Sequence, residues 1–398
     1  MAADRRILIV GAGPVGLSAA IRLAEAGIPT LVLEAARAPA EDLRASTWHP
    51  PTLDMLAPYG LSADLIGRGL ISPTWQVRLH ETGERAVFDL TVLKDVTAHP
   101  YRVQCEQRVF VRLALDWLAR HGETAEVRFG CEVTAAEQTD DQVSVRLATS
   151  GERLSGQWLI GADGARSVVR HAMGQKLAGS TYPETTILAT TPFPFHDHLA
   201  GLSNVNYCWT EGGTFSLLRL PDEWRVSLYP WAGETLEAAL AAPRIEAKLQ
   251  AIVPRAGSYQ VREVRPYRIH QRLARDYRRG RMVLAGDAAH LNSPSGGMGM
   301  NGGIHDAFNL TGKLIRLWRG EAGADILDLY TRQRRPIAES AILAQADRNR
   351  RRMQERDSVR RRAILADLQA TAADPARARA YLLRSSMIDG LRRAAEIE

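Results

Sequence analysis

Residues 6–16 of the chain read RILIVGAGPVG, an apolar strand that runs into a glycine-rich turn and then a helix. In this pattern Gly11 allows a tight turn after the strand, Gly13 lets a pyrophosphate approach the backbone, and Gly16 lets the helix pack closely on the sheet. Pro14 and Val15 belong to the same turn. The N-terminus of a helix attracts phosphate groups, so we expect these five residues to form a dinucleotide-binding site.

An acidic residue follows at the spacing expected for such a site. Glu34 closes the next apolar strand, residues 30–33, where a carboxylate accepts hydrogen bonds from the adenosine ribose and disfavours a 2′-phosphate. We place Glu34 and its neighbour Ala35 among the cofactor contacts. A second match to the glycine pattern, at residues 297–302, has no strand before it and no such acid, so it is not interpreted as a dinucleotide turn. The first motif alone does not decide between NAD and FAD, and a purely structural turn is the alternative.

Length and composition predict two packed domains. A chain of 398 residues exceeds the usual size of a single hydrophobic core. The formal net charge is +6, but positive and negative residues are mostly interspersed, so we expect no nucleic-acid partner. Arginines cluster at residues 348–352 and 360–362. This cluster is interpreted as the solvent-exposed face of a helix, with a docking patch for an acidic partner as the alternative.

Targeting and redox features predict a cytoplasmic protein. The first strand begins within a few residues of the N-terminus, which leaves no room for a signal peptide, and no apolar stretch is long enough to span a bilayer. Cys105, Cys131 and Cys208 lack CxxC spacing, so we expect reduced structural thiols and no metal site. Around residues 378–391 apolar residues recur at helical spacing. This segment is expected to cover the rest of the chain or a homodimer partner, with a frayed terminal helix as the alternative.

Periodicity predicts the remaining elements. Apolar residues at helical spacing indicate a helix over residues 107–121 and a short helix over 52–56 that ends near Gly60. Alternating polar and apolar residues indicate strands at 76–80, at 126–129 and 142–147 around a polar turn, and in the region 185–231, which contains a hairpin of 215–220 and 224–229. From residue 304 onward the chain is expected to be nearly all helical.

Two further motifs lie downstream of the glycine turn. Residues 158–167 read WLIGADGARS, and residues 284–290 read LAGDAAH, extended by PSGGMGMN at 294–301. The three motifs in this order resemble the single-component FAD-dependent aromatic hydroxylases, the broad family that includes p-hydroxybenzoate and phenol hydroxylases. The resemblance implies FAD as the dinucleotide. It also implies an α/β fold with a Rossmann-like FAD-binding domain interleaved with a β-rich substrate domain, followed by a helical C-terminal tail.

The same resemblance divides the chain into segments. The FAD-binding domain is expected to take residues 1–75, 101–180 and 276–335. The substrate domain is expected to take strands at 76–100 and the β-rich segment 181–275, and residues 336–398 are expected to form the helical C-terminal region. Substrate is then expected between the flavin and the β-rich segment.

Site residues are implied by the resemblance, motif by motif. Asp287, which follows Gly286, is expected to accept a hydrogen bond from the flavin ribityl chain, with an N-cap aspartate as the alternative. Asp163, Gly164 and Arg166 are expected to support the FAD pyrophosphate and transient nicotinamide binding, unless Arg166 is an ordinary surface arginine. The other expected FAD contacts are Arg44 on the phosphates, Gln107 or the competing Gln104 against the flavin, and Gly297, Gly299, Met300 and Asn301 where a helix begins near Asn301 with its positive end toward the flavin.

Substrate contacts are implied on two sides of the flavin. Pro294 is expected to line its substrate side. His49 is a candidate proton acceptor from a phenol, because a histidine pKa lies near neutrality, and a structural histidine is the preferred alternative. Arg219 or Arg225 is a candidate partner for a substrate carboxylate. The strand candidates, each of which could instead only pack the sheet, are Tyr207, Trp209, Phe215, Leu217, Arg219 and Tyr229.

The implied reaction is a monooxygenation. Members of the family take electrons from NADH or NADPH, which docks transiently, and use O2 through a flavin C4a-hydroperoxide to hydroxylate a phenolic or heteroaromatic small molecule. The chain has no second dinucleotide turn for NAD(P)H, which agrees with this family. Two alternatives stay open. One is a flavin epoxidase or Baeyer–Villiger-type oxygenase acting on a polyketide or other non-aromatic substrate, and the other is a flavin-binding protein without oxygenase activity.

Overall fold

A computed structural model describes residues 5–41, 45–121 and 123–398 of the chain. Within these residues the strands form four sheets, of six, three, eight and three strands. In chain order the strands are β1 Ile7–Val10, β2 Thr30–Leu33, β3 Thr47–Trp48, β4 Leu70–Ser72, β5 Thr74–Leu79, β6 Arg85–Asp89, β7 Arg102–Gln104, β8 Ala125–Arg128, β9 Val133–Gln138, β10 Val143–Leu147, β11 Arg153–Gly156, β12 Trp158–Gly161, β13 Leu177–Thr191, β14 Val205–Thr210, β15 Gly213–Arg219, β16 Trp224–Leu228, β17 Glu263–Ala274, β18 Arg278–Arg279, β19 Met282–Leu284 and β20 His290–Leu291.

Helices fill most of the rest of the described chain. The α-helices are α1 Pro14–Glu25, α2 Pro50–Leu56, α3 Leu61–Arg68, α4 Gln107–His121, α5 Val168–Ala172, α6 Phe195–His198, α7 Leu236–Leu240, α8 Ala242–Ile252, α9 Met298–Trp318, α10 Ile326–Ile337, α11 Ala344–Gln354, α12 Ser358–Ala373, α13 Pro375–Ser385 and α14 Ile388–Ala395. A π-helical segment, Ala338–Leu343, joins α10 to α11, and 3-10 turns lie at Ala57–Tyr59, Leu90–Leu93 and Gly286–Ala288. Among the described helices, none has both the length and the hydropathy needed to cross a bilayer.

The six-stranded sheet carries the glycine turn. Its order is β18–β19–β12–β1–β2–β8, and the five strands from β19 to β8 are parallel neighbours. Every residue of β1 is buried, as expected for a central parallel strand covered on both faces. The predicted pairing of 126–129 with 142–147 is wrong. Residues 126–128 fall instead on the parallel edge strand β8. The polar turn at 139–141 joins β9 to β10, and β9 was missed because its sequence, VTAAEQ, alternates only weakly between apolar and polar residues.

The eight-stranded sheet has the order β20–β17–β13–β16–β15–β14–β5–β6 and is antiparallel except at the β14–β5 pair. The predicted hairpin is confirmed as β15 and β16. Alternation along β16 separates its two faces. Trp224, Val226 and Leu228 are buried in an apolar cluster with residues of α8, whereas Arg225 and Ser227 face the six-stranded sheet across a cleft. The predicted α/β fold, with a parallel sheet at the glycine turn, a β-rich second sheet and a helical C-terminus, is therefore confirmed.

The C-terminal helices fold back onto the outer strands of this sheet. Tyr381 of α13 stacks on Phe88 and Trp75, with ring centroids 4.6 Å and 6.0 Å apart. Leu382, on the same helix, is fully buried in the cluster that these rings form. The structure thus matches the prediction that the C-terminal segment covers the rest of the chain. The most buried leucine of this segment is Leu382.

The prediction that the arginine cluster is simply a solvent-exposed face is wrong for its central members. Arg361 is 4% exposed and donates to the carbonyls of Glu355, Thr210 and Gly213. Its planar guanidinium can satisfy several carbonyls at once, which a helical-face analysis does not anticipate. These bonds tie α12 to the end of the β14–β15 hairpin.

Candidate active site

A cleft of about 600 Å³ separates the carboxyl ends of the parallel strands from the eight-stranded sheet. One end lies at the glycine turn, where Gly13 and Pro14 line it. The other end lies against the sheet, where Tyr207, Tyr229 and Tyr267 line it. Ligand sites in parallel α/β sheets form at this edge of the strands, so the cleft is the candidate active site.

The glycine turn has the form that a dinucleotide requires. Gly11 has φ of +103°, and a Cβ there would overlap the carbonyl oxygen of Ala162. A Cβ at Gly16 would overlap the carbonyl oxygen of Gly11, so this glycine allows the close approach of α1. In contrast, a Cβ at Gly13 would meet nothing within 4 Å. Because Gly13 lines the cleft at the N-terminus of α1, the open space above it fits a phosphate group.

Glu34 supports this turn from below. Its Oε2 accepts a hydrogen bond from the backbone N–H of Ala12 at 2.8 Å, and its Oε1 accepts one from Ala36 at 2.9 Å. Each carboxylate oxygen keeps a further lone pair, which a ribose hydroxyl can use. Ala35 is exposed beside it, and the predicted phosphate contact Arg44 lies outside the described residues.

The second motif contributes a buried carboxylate. Asp163 Oδ2 accepts hydrogen bonds from Val168 and Val169 at 2.7 Å and 3.2 Å, and burial raises the pKa of Asp163. Its Oδ1 is buried without a hydrogen-bond partner among the described residues, an arrangement that a ligand hydroxyl would relieve. Gly164 lines the cleft, whereas Arg166 is exposed outside the cleft lining.

Arg170, which the sequence did not single out, links the second and third motifs. It is 4% exposed and donates to the carbonyls of Ala165 at 2.8 Å and Ala288 at 3.0 Å. In the sequence Arg170 is only one arginine in a short helix. Its contact with Ala288, 118 positions away, could therefore not be predicted. This guanidinium holds the two motifs at a set separation beside the cleft.

The third motif presents Asp287 to the cleft and is braced from behind. Asp287 lines the cleft next to Gly286. The N–H of Gly286 donates to Asp306 Oδ2 at 3.2 Å, and the same oxygen lies 2.7 Å from His290 Nε2. Arg334 Nε donates to Asp306 Oδ1 at 2.6 Å. Burial would raise the pKa of Asp306, but the Arg334 and His290 partners outweigh it and lower the pKa to about 2.

The loop at 294–301 forms the wall between the two ends of the cleft. Pro294, Gly297, Gly299 and Met300 all line it, and α9 begins at Met298, three residues before the predicted start. The free backbone N–H groups of the first helical turn therefore face the cleft.

Asn301 makes a different contact from the one expected. Its Oδ1 accepts from His49 N at 3.0 Å, and its Nδ2 donates to the carbonyls of Thr47 at 2.8 Å and Gly297 at 2.7 Å. Because its carboxamide is used within the protein, Asn301 fixes the start of α9 against β3, and its side chain does not line the cleft. A flavin contact through this side chain is not supported.

Gln107 and His49 fall on opposite sides of the cleft wall. Gln107, the first residue of α4, lines the cleft, whereas the competing Gln104 is fully buried and accepts from Thr47 Oγ1 at 3.0 Å. His49 is also fully buried behind the wall, with its Nε2 2.8 Å from the Gly296 carbonyl. Burial, and then the nearby Arg102, lower the pKa of His49 well below its ordinary value, so this ring is neutral. A structural histidine matches these observations.

The eight-stranded sheet sorts the predicted substrate contacts by face. Tyr207, Phe215 and Tyr229 line the cleft, whereas Trp209 and Leu217 are buried in apolar clusters away from it. The two arginines also differ. The guanidinium of Arg219 lies over the Trp224 ring, 6.0 Å from its centroid, outside the cleft lining. Arg225 lines the cleft and donates to Glu106 Oε1 at 2.7 Å.

Two cleft residues on β17 were missed. Arg265 and Tyr267 lie two positions apart on the same face of this strand and both line the cleft. The period of two in EVRPYRIHQ was the available signal, but Pro266 between them argues against a central strand. Burial raises the pKa of Tyr207, Tyr229 and Tyr267, so all three phenols stay protonated near neutral pH. They can therefore donate hydrogen bonds to a ligand.

Comparisons with known proteins agree with this geometry. The family described as "FAD binding domain" matches residues 4–345. The chain is 34% identical over 338 residues to 6-hydroxy-3-succinoylpyridine 3-monooxygenase of Pseudomonas putida, covering 84% of this chain and 85% of that protein. It is 33% identical over 394 residues to para-nitrophenol 4-monooxygenase of a Pseudomonas species, covering 97% and 96%. The crystal structure of p-nitrophenol 4-monooxygenase from Pseudomonas putida DLL-E4 superposes with a TM-score of 0.90 at 30% identity, covering 97% of this chain and 98% of that one.

Proposed function

Because this chain belongs to the FAD-binding family of single-component aromatic monooxygenases, we propose that it takes electrons from NADH or NADPH and uses O2 to hydroxylate a phenolic or heteroaromatic small molecule. The observation that supports this most strongly is the single cleft that joins the glycine turn to the three tyrosines of the sheet. The relatives' names describe action on a nitrophenol and on a hydroxylated pyridine, which agrees with this substrate class.

The nucleotide end of the cleft holds the FAD in this proposal. Gly13 and the start of α1 bind the pyrophosphate, and Glu34 binds the adenosine ribose. Asp287, which lines the cleft, accepts hydrogen bonds from hydroxyl groups of the bound cofactor, and Asp163 supports the cofactor from behind the lining residues Ala162 and Gly164. Arg166, exposed on the turn after Gly164, is proposed to contact the phosphates of NAD(P)H during its transient docking.

The loop at 294–301 and α9 hold the reacting end. FAD held there and reduced would supply the activation of O2, which provides the oxygen atom that reaches the ring. The 21-residue helix α9 points its N-terminus into the cleft, where its free N–H groups stabilise negative charge on the reduced cofactor. Pro294 and Gln107 line the cleft beside this helix end and limit where a flat ring can lie.

The sheet positions the substrate. The protonated hydroxyls of Tyr229 and Tyr267 donate to the phenolic oxygen and hold the ring toward the loop, beside the Tyr207 ring, whose hydroxyl contacts Arg102. Phe215 and Leu218 cover the ring with apolar surface and exclude water that would divert the oxygen into hydrogen peroxide. Within the described lining no histidine is present, so we propose that His49 supports the wall and does not accept the phenol proton.

Oxygen consumption by the FAD-loaded protein tests the proposal. Uptake is measured with NADH and with NADPH against phenols, hydroxypyridines, aminobenzoates, larger polyphenols and a non-aromatic polyketide, and oxygenated product is scored against hydrogen peroxide. We expect one ring class to stimulate uptake with little peroxide. Product from a polyketide or other non-aromatic substrate alone would contradict the substrate class. Bound FAD with no stimulated uptake by any class would contradict the oxygenase activity.

A further inference from the structure

A second, smaller cavity lies behind Tyr207, on the side away from the glycine turn. Its volume of about 20 Å³ is enough for one water-sized or slightly larger group. It is lined by polar and aromatic side chains that include Arg102, Arg352, Tyr207, Tyr381 and Ser385. Tyr207, Gly296 and Met353 line both this inner cavity and the main cleft, so the two spaces are neighbours.

The inner cavity carries positive charge without a compensating carboxylate. Arg102 is 3% exposed, and Arg352 also lines the cavity. Among the described residues no aspartate or glutamate lines the cavity, and no carboxylate forms an ion pair with Arg102. The titratable groups near Arg102 are the phenols of Tyr207 and Tyr381 and the neutral ring of His49. Burial lowers the pKa of Arg102, but a guanidinium stays charged at neutral pH.

Contacts within the protein only partly stabilise these charges. Arg102 lies over the Trp75 ring, 5.4 Å from its centroid, and hydrogen-bonds to the hydroxyl of Tyr207, which is neutral. Both contacts are weaker than a buried ion pair. Arg352 donates to the Tyr381 hydroxyl at 3.1 Å, which is neutral. A buried cation without an anion is costly, because its hydration has been lost and nothing of opposite charge replaces it.

Two polar atoms at the cavity also lack partners. Arg102 Nε and Ser385 Oγ are both buried and have no hydrogen-bond partner among the described residues. Each of these groups can donate a hydrogen bond to an acceptor bound in the cavity. A water molecule could accept these bonds but would leave the positive charge unbalanced, whereas an anion meets both requirements.

We propose that the inner cavity binds one small monovalent anionic group between Arg102 and Arg352. The group comes either from a free halide such as chloride or from an anionic substituent of the substrate that reaches past Tyr207. The second source rests on the proposed function, and the first does not. In both cases the occupied cavity fixes Tyr207 and Gly296, which stand between it and the main cleft.

Bromide is a direct probe of this site, because its anomalous scattering locates it in a crystal. We expect a crystal of the FAD-loaded protein soaked in sodium bromide to show one anomalous peak between Arg102, Arg352 and Ser385. The peak should be lost in Arg102→Met. Displacement of bromide by 4-hydroxybenzoate but not by the neutral 4-cresol identifies the substrate as the source, and bromide that stays with both ligands identifies a free halide.

Thermal unfolding tests the same inference in solution and without turnover. Chloride is titrated against gluconate, which is too large for the cavity, at constant ionic strength. We expect chloride to raise the melting temperature of the wild-type protein and of Arg351→Gln, whose arginine is exposed at the surface beside the cavity arginine. The chloride-dependent rise in melting temperature should be lost in Arg352→Gln and reduced in Ser385→Ala. These two variants test the proposal even if Arg102→Met does not fold. A crystal without the bromide peak, or equal melting temperatures in chloride and gluconate, would overturn the proposal.

Discussion

At its nucleotide end the cleft is walled by backbone, with Gly13 open to the ligand and Gly11 packed on Ala162. At its substrate end it is walled by side chains, above all Tyr229 and Tyr267 on the face of the sheet. The packed part of the first wall cannot change without disturbing the fold, because a Cβ at Gly11 or Gly16 would overlap neighbouring backbone. The second can change one side chain at a time. We therefore expect substitutions at the nucleotide end to alter stability and FAD affinity, and those at the substrate end to alter kinetics.

The largest expected effect comes from the ion network behind the third motif. Asp306→Ala leaves Arg334 buried without its carboxylate and removes the acceptor for the Gly286 N–H. We expect the free energy of unfolding to fall by about 3–5 kcal/mol, measured by denaturant titration. The matched control is Asp328→Ala, which removes an exposed carboxylate from a surface pair with Arg278 and should cost less than about 1 kcal/mol. Equal losses in the two variants would refute the bracing role.

Two glycines of the turn, Gly16 and Gly13, distinguish an effect on packing from an effect on ligand binding. Gly16→Ala forces a methyl group onto the Gly11 carbonyl and should destabilise the FAD-free protein by about 3 kcal/mol. Gly13→Ala has open space in the FAD-free protein, so its melting temperature should not change. Its FAD dissociation constant should instead rise roughly 10- to 100-fold, because the methyl group occupies the phosphate position. Flavin fluorescence titration measures it, and an unchanged FAD affinity in Gly13→Ala would place the pyrophosphate elsewhere.

Acid sensitivity should also come from the nucleotide end. The folded-state pKa of Asp306, about 2, lies below its ordinary value of 3.8. This carboxylate therefore contributes its full stabilisation above about pH 4 and loses it as the pH falls toward 2, by roughly 2 kcal/mol. The difference in unfolding free energy between the wild type and Asp306→Asn should shrink over this interval. If the difference in unfolding free energy between the wild type and Asp306→Asn stays constant from about pH 5 down to about pH 2, the lowered pKa of Asp306 is contradicted.

The smallest effects are expected at the substrate end. Tyr267→Phe and Tyr229→Phe each remove one hydrogen-bond donor, so kcat/KM should fall about tenfold while the FAD dissociation constant stays the same. Tyr259→Phe is the control, since its hydroxyl donates to the Val253 carbonyl outside the cleft and should not affect kcat/KM. A loss of FAD affinity in the cleft variants would show that the two ends are not separable.

The contrast between the backbone wall and the side-chain wall also explains which features could be predicted from the sequence. The turn at Gly11 and the close packing at Gly16 were predictable because the chain must turn and pack within a short local motif. The bounds of α4 and the β15–β16 hairpin followed from their periodicity.

Contacts between distant residues were not predictable in this way. Asp306 and Arg334 meet across 28 positions, and Arg170 reaches Ala288 across 118. Their partners depend on how separate elements pack, which no local pattern records. Asn301 lies in a recognised motif, yet its carboxamide bonds to the protein, because a motif identifies a position but not the partner of its side chain. The substrate end of the cleft is built almost wholly from residues that lie far apart in the sequence.

We propose one cleft that holds FAD at one end and an aromatic substrate at the other, with an oxygen atom of O2 transferred to the ring between them. The most direct measurement is the reaction of the FAD-loaded protein with NAD(P)H and its best phenolic substrate under ¹⁸O2, with mass spectrometry of the product. We predict one ¹⁸O atom in each product molecule, with about one NAD(P)H oxidised per oxygen atom incorporated. Unlabelled product, or NAD(P)H oxidation that yields only labelled hydrogen peroxide with every ring tested, would contradict the account.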